Sequence, residues 1–524
     1  MRSTRITLSM FLGPALFAIT LIHRVILWHL LGSSVDATAR ANPDWLTWQY
    51  LPRDAYRLHF WLSLVYLQQT PPLPHLVFGV LLKVAEWPVG VAHGLYLVQA
   101  LISATTAAVL FALLRRLRCG LVLSAAVALW FALSTDLYLL ELASLGQLIY
   151  ESGAMALVAA ACLSLLIAFD ASADRKDDIG RRHLITAGCF TALAALTRAS
   201  FSLLFIPLAL FVAIVVGMRR MAVFLVAVVL LQGAWCLKNA LVFGYLTPAT
   251  SSWSGINATQ GYAFNKAAIA AFERMIVDDP SSYPPWFLKE IREHGYVSWS
   301  TDPAEYAPPD VLARDRAIQH RLEGTNQSPN SIATRLLSDQ YLRAWSRFVV
   351  RNPGYFIEKV TRAYGIFWQP MASYTAMFVA PVFVYGSERA SLFSLPRRSS
   401  PAFAMTGHRS HRRTTLVDLP TIDLDVLDFI CLVAMHVVFP LALIVDAFML
   451  GMRRPPLFLN AKLLLVGGIA WYGAILFNVV EVNENMRFRL SVEPEIIAFS
   501  VALLNAIVAA AWSRLAFRRS SATQ

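Results

Sequence analysis

Apolar runs of about 20 residues recur along this chain, each long enough to cross a hydrocarbon core of roughly 30 Å. Inside such a core every peptide N–H and C=O needs a partner within its own segment, so the runs must be helices. They are continuous rather than alternating, which excludes the strands of a membrane barrel. Of the 524 residues, 57% are hydrophobic and only 15% are charged. The expected fold class is an all-α polytopic membrane protein. A formal charge of +12 would suggest nucleic acid in a soluble chain. Here much of it lies in short loops between spans, where it reads as topology, and no nucleic-acid partner is expected.

Arg2 and Arg5 place the N-terminus in the cytoplasm. The first span, 6–31, is too long for a signal-peptide core and is read as retained. Further spans follow at 89–114, at 121–133, after Glu151, before Arg198, before Arg219, and at 221–242, 427–449, 463–480 and 496–512. Ten spans put most paired arginines on one side, as the positive-inside rule prefers. The segment 371–385 is apolar but short, and is read as not crossing. The chain then divides into a transmembrane module over 1–246, a mostly helical outer-face subdomain over 247–370, a basic loop over 371–426, and a second transmembrane module over 427–524. Helical periodicity over 267–277 and 333–349 marks the subdomain's helices. The first outer loop, 32–86, holds two amphipathic pieces too short to span, which are expected to lie in the interface.

That loop contains Leu51-Pro-Arg-Asp-Ala-Tyr-Arg57, in which Asp54 stands between Arg53 and Arg57. A carboxylate beside fixed positive charge at a membrane surface suits a general base acting on a phosphate-bearing substrate. A solvated loop with a local ion pair is the plainer reading. Charges near the apolar boundary cost free energy unless they are paired or used. The outward set is Arg53, Asp54, Arg57, Glu141, Glu151, Arg198, Lys238, Arg487 and Arg489. All fall at one expected level of the membrane, although they come from different span ends. Arginine grips phosphate bidentately and lysine as a point charge. Snorkelling to lipid headgroups accounts equally well for Arg57 and Lys238 taken singly. An ion-paired turn competes for Arg487 and Arg489, which are flanked by Glu481, Glu484 and Glu493.

The five cysteines show no metal spacing and no disulfide framework. His408 and His411 lack the neighbouring ligands of a zinc site. No glycine-rich phosphate loop, dinucleotide fingerprint or nucleophile elbow occurs.

Several stretches, in order, resemble the GT-C superfamily of integral membrane glycosyltransferases, the broad class of the protein O-mannosyltransferases and the lipid A aminoarabinose transferases. Arg53-Asp54-Ala-Tyr56 resembles the acidic first-loop motif, and Thr70-Pro-Pro-Leu-Pro74 the proline turn after it. Glu141 and Tyr150-Glu151 resemble the acidic segment before the fourth span. Leu196-Thr-Arg198 and Trp235-Cys-Leu-Lys-Asn239 resemble two span ends, and Arg487-Phe-Arg-Leu-Ser-Val-Glu-Pro494 a late landmark. Lys238 stands where arginine is more usual, and the first loop has one acidic residue at the motif rather than an adjacent pair. The resemblance implies an inverting transfer of a sugar from a polyprenyl phosphate to a hydroxyl on the periplasmic face of a bacterial inner membrane, in cell-envelope glycan biosynthesis. It implies Asp54 as the catalytic base and Arg198, Lys238, Arg487 and Arg57 as ligands of the donor phosphate. Glu141, Tyr150 and Glu151 would orient sugar or acceptor, the acceptor being a glycan, a lipid or a protein. No cofactor is required, and a divalent metal is compatible. The competing class is a lipid-linked glycan transporter or flippase that makes no bond.

Overall fold

The computed structural model describes residues 2–41, 50–68, 70–134, 148–247, 254–260, 265–283, 307–324, 330–368, 426–480 and 488–522, with a few positions between them. Among these every regular element is helical, and no β-strand occurs. Helix α1 covers Arg2–Ala41, and α2 (Arg53–Val65) and α3 (Pro72–Val84) form the loop between the first two spans. Next come α4 (Val89–Arg116), α5 (Leu121–Ala132), α6 (Leu148–Ala173), α7 (Asp177–Thr197), α8 (Phe205–Val216) and α9 (Met218–Phe243). The subdomain contributes α10 (Ser254–Gln260), α11 (Lys266–Asp278), α12 (Pro309–Arg321), α13 (Ile332–Arg351) and α14 (Pro353–Phe367). The chain resumes with α15 (Val426–Val433), a π-helical turn at Ala434–Val438, α16 (Phe439–Gly451), α17 (Ala461–Val480) and α18 (Glu493–Ala522).

Eight helical stretches among the described residues are long and apolar enough to cross a membrane. The other two expected spans are helices of a different kind. Helix α5 has 12 residues, so at about 1.5 Å of rise per residue it falls short of a full crossing. Helix α7 has 21 residues but opens with Asp177 and Asp178, which dilute its apolar character. Helix α1 runs ten residues beyond the expected end of the first span, to Ala41. The short apolar segment 371–385, the histidines His408 and His411, and Arg487 lie outside the described residues.

Small residues set the spacing of the membrane helices, because van der Waals contact rather than the hydrophobic effect holds helices together in lipid. Helices α6 and α7 make the most extensive pairing, and α7 also lies along α9. Gly188 sits at that second crossing, where an added Cβ would meet the Phe224 carbonyl and lie 2.9 Å from the Ala227 Cβ. The subdomain has a core of its own, in which Phe272, Phe287, Tyr341 and Phe348 are buried together. Its helices start where the sequence supplies caps: the Asn265 side chain accepts from the Ala268 N–H at 3.0 Å, and Ser331 from that of Thr334 at 3.0 Å. Gly255 lets α10 lie against α13, since its Cβ would stand 2.6 Å from the Leu342 nitrogen.

Overpacking of this sort costs about 1–3 kcal/mol. Gly188→Ala is therefore expected to lower the midpoint of thermal unfolding in detergent. Gly468→Ala, at a position in α17 where a Cβ meets nothing within 4 Å, is expected to leave that midpoint unchanged or raise it.

Candidate functional site

The loop between the first two spans is a bent hairpin. In α2 the backbone leaves helical geometry at His59 (φ −129°, ψ 41°). The Ser63 hydroxyl donates to the Ala55 carbonyl at 2.8 Å. In a straight helix residues eight apart are separated by about 12 Å along the axis, so this bond requires the bend. The Lys83 Nζ of α3 donates to the Arg57 carbonyl at 2.6 Å and ties the second arm to the first.

Asp54 and Tyr56 share the first arm but point to different sides, because two residues turn a helix through about 200°. The Asp54 side chain is 56% exposed and accepts from Arg53 Nε at 3.3 Å. Arg57 is exposed on the same arm. Leu58, Trp61 and Val65 also leave α2 exposed, Trp61 by 72%. The outer surface of the hairpin is thus a carboxylate between two guanidiniums, followed by apolar side chains that suit the lipid boundary.

Tyr56 faces inward and is completely buried. It hydrogen-bonds His75 Nδ1, and its oxygen accepts from the Leu51 N–H at 3.2 Å. The other ring nitrogen of His75 meets the Thr70 hydroxyl and, at 3.0 Å, the Tyr150 hydroxyl. Tyr50 packs edge-on to the ring at 5.2 Å between centroids. Burial lowers the His75 pKa from 6.5 to about 3 and raises that of Tyr56 well above 10, a rise that Tyr150 nearby reinforces. His75 is a neutral hub joining both arms of the hairpin to the start of α6. His75 directly follows the proline stretch Thr70–Pro74, and nothing in the sequence marks it as a hub.

Next to Tyr150, the Glu151 carboxylate pairs with Arg198, which stands in extended conformation just past the end of α7. The Arg198 guanidinium also lies 4.3 Å from the Phe488 ring centroid and 5.3 Å from that of Phe477. Its side chain is 14% exposed. Lys238, near the end of α9, donates to the Leu67 carbonyl at 2.6 Å and lies 3.6 Å from the Trp235 ring centroid. The turn it holds is gripped from the subdomain as well. Gln68 N–H donates to Asn330 Oδ1 at 2.9 Å and Gln68 Nε2 to the Asn330 carbonyl at 2.7 Å, while Asn330 Nδ2 donates to the Tyr66 carbonyl at 2.9 Å.

Two sequence candidates have structural partners instead of an open site. Glu141 is fully buried against Arg24 of α1, whose Nε lies 2.7 Å from its Oε2, and it also accepts from the Ser103 hydroxyl. A carboxylate so enclosed has no face left for a sugar, so we assign it to packing. Arg489 is fully buried between Asp428 (2.9 Å) and Glu493 (3.0 Å). Arg24 was missed because it lies inside the first apolar run. The signal was available, since a lone arginine in a span needs a buried partner. The structure therefore brings Tyr150, Glu151 and Arg198 into contact with the His75 network, and Lys238 onto the hairpin turn. Asp54 and Arg57 stand on the opposite, outward side of α2. Among the described residues no three His, Cys, Asp or Glu side chains converge as a metal would require.

Breaking a buried pair from one side costs about 3–5 kcal/mol, whereas replacing both partners by apolar residues is much milder. Glu141→Ala is expected to unfold far more readily than Arg24→Met combined with Glu141→Leu in a detergent melt. For His75, the unfolded chain binds a proton between pH 6.5 and about 3 that the folded chain refuses. The stability it contributes is present above that window and lost as pH falls through it. His75→Gln is expected to flatten the fall in melting temperature on acidification across the same window.

Compared with family models, curated proteins and solved structures, the chain matches none of them.

Proposed function

We propose that the chain is an inverting glycosyltransferase that moves a sugar from a polyprenyl-phosphate donor to a hydroxyl acceptor on the non-cytoplasmic face of its membrane, the periplasmic face of a bacterial inner membrane. The observation that carries the reading is the exposed Asp54 carboxylate between Arg53 and Arg57 at the head of α2, whose other exposed side chains include Leu58, Trp61 and Val65. A lipid phosphate keeps its chain in hydrocarbon and its charge in water. A carboxylate and two guanidiniums beside apolar side chains offer it both environments at once.

In the proposed reaction Asp54 takes the proton of the acceptor hydroxyl. The freed oxygen pair forms a bond to the anomeric carbon from the side opposite the donor phosphate. The bond from that carbon to the phosphate oxygen breaks, and the polyprenyl phosphate leaves with its electrons. The configuration at the carbon inverts. Arg57 and Arg53 neutralise the leaving phosphate, as charged donors do wherever negative charge develops. Arg198 and Lys238 then act by support: Arg198 fixes Glu151 beside Tyr150 and the His75 network, and Lys238 fixes the turn at Leu67.

The test uses purified protein with labelled polyprenyl-phosphate sugars and extracted cell-envelope glycans. A general base is worth about 10²–10⁴-fold. Asp54→Asn is expected to lose transfer by that factor while its melting temperature stays unchanged. Undiminished transfer in that variant would remove the assignment of the base. Transfer that no lipid-linked sugar supports in the unaltered protein would remove the reading.

A further inference from the structure

The geometry points to a subsite for an acidic glycan on the subdomain, at the C-terminal end of α12 beside the bend in α2. It deepens the transferase reading, because its ligand would be the acceptor, but the binding itself does not depend on that reading.

Helix α12 ends in a tight reversal. Leu322 is fully buried against Tyr66, Phe243 and Ile318, and anchors the turn. Glu323 (φ +48°) and Gly324 (φ +78°) then take the left-handed conformation, and the Gly324 N–H donates to the Gln319 carbonyl at 2.9 Å. Side chains rarely adopt that conformation, so the reversal is held by what surrounds it. It leaves an open depression of about 710 Å³ lined by Arg316, Gln319, His320, Arg321, Glu323 and Gly324. That volume lies within the range of about 300–1,000 Å³ typical of small-ligand sites.

The lining is cationic. Glu323 is its one carboxylate, and its Oε2 lies 3.5 Å from Nε2 of His59 at the bend of α2. Arg321 donates to the Tyr66 hydroxyl of the hairpin turn. Arg316 forms no ion pair among the described residues. Two guanidiniums and an imidazole thus face a single carboxylate that already has a partner. Basic groups at a helix C-terminus offset the partial negative charge of its last carbonyls, equivalent to roughly half an elementary charge. The positive charge here exceeds that. Planar guanidiniums take carboxylate or phosphate in paired hydrogen bonds, and the Gln319 amide adds a donor and an acceptor suited to sugar hydroxyls.

Placement selects a glycan over a lipid headgroup. The depression adjoins α2 through His59 and Tyr66. Those residues stand on a different side of the helix from the exposed Leu58 and Trp61. From Asp54 to His59 is five residues, about 7.5 Å of helical rise. The same five residues turn the helix about 140°, so a glycan whose acidic group rests on Arg316 passes around α2 to bring a hydroxyl to the proposed base.

The full chain, in nanodiscs of zwitterionic lipid, would be titrated with fluorescent trigalacturonate and with maltotriose carrying the same dye. The acidic trisaccharide is expected to bind at least about 10-fold more tightly, the effect of one charge-assisted contact. Added salt should weaken it, and Arg316→Gln combined with His320→Gln should remove the preference; both side chains are exposed, so the fold is not at risk. Equal affinity for the two sugars, or a preference that survives in the double variant, overturns the subsite. So does displacement of trigalacturonate by phosphatidylglycerol in the disc at the same Arg316 and His320, which would identify a lipid headgroup as the occupant. Asp54→Asn should leave this binding intact. Acidic-glycan binding without any transfer by the unaltered protein would sink the transferase reading and leave the subsite standing.

Discussion

Three enclosed arginines brace the transmembrane modules from within, two in the first and one in the second, and each meets a carboxylate from another stretch of its module. Arg24 of α1 meets Glu141 ahead of α6, Arg198 past α7 meets Glu151 at the start of α6, and Arg489 ahead of α18 meets Asp428 of α15. In an apolar surrounding an isolated charge is too costly to tolerate, so each pair admits little slippage between its helices. Apolar packing alone is permissive: a leucine-rich face meets another in many registers. The ion pairs select one. Because α6 takes part in two of them through its own residue and the segment just before it, its N-terminal end is the fixed point from which Tyr150 reaches His75 of the α2–α3 hairpin.

The hairpin of α2 and α3 is fastened by polar contacts on its inner side and left open on its outer side. His75, Tyr56, Thr70 and Tyr150 form the inner fastening. Lys238 from the membrane helices and Asn330 from the subdomain both bond the backbone of the turn at Tyr66–Gln68. The chemistry we propose uses the outer side, where Asp54 and Arg57 remain solvated. A rigid interior that presents an accessible carboxylate is a suitable arrangement for a base that must receive two substrates, one from lipid and one from water.

Much of the architecture was legible in the residues. Continuous apolar runs forced helices, and the positions of α4, α9, α17 and the stretch from α15 to α16 follow them closely. The subdomain helices α11 and α13 were readable from their periodicity, with ends set by Asn265 and Ser331. Which charges would meet was harder to read. Glu141 and Arg198 both looked like outward groups, because a sequence gives the level of a residue in the membrane but not its direction around the helix. Asp54 and Tyr56 show the same gap: two residues apart, they serve opposite sides of one helix. His75 was hidden for a different reason. Its role comes from three hydroxyls supplied by Tyr56, Thr70 and Tyr150, and no local pattern brings those together.

The bend at His59 has a thermodynamic corollary. It divides α2 into two arms of fewer than two turns each, and helices that short are not stable on their own in water. Their order is borrowed from the contacts around them. For the hairpin those contacts are buried ones: Ala55, Tyr56, Phe78 and Leu82 pack in one core with Val91 and Leu95 of α4, so the order of the hairpin and that of the membrane helix are linked. Order at the bend is thus set from the membrane side, and a substitution in α4 acts on the loop from outside it.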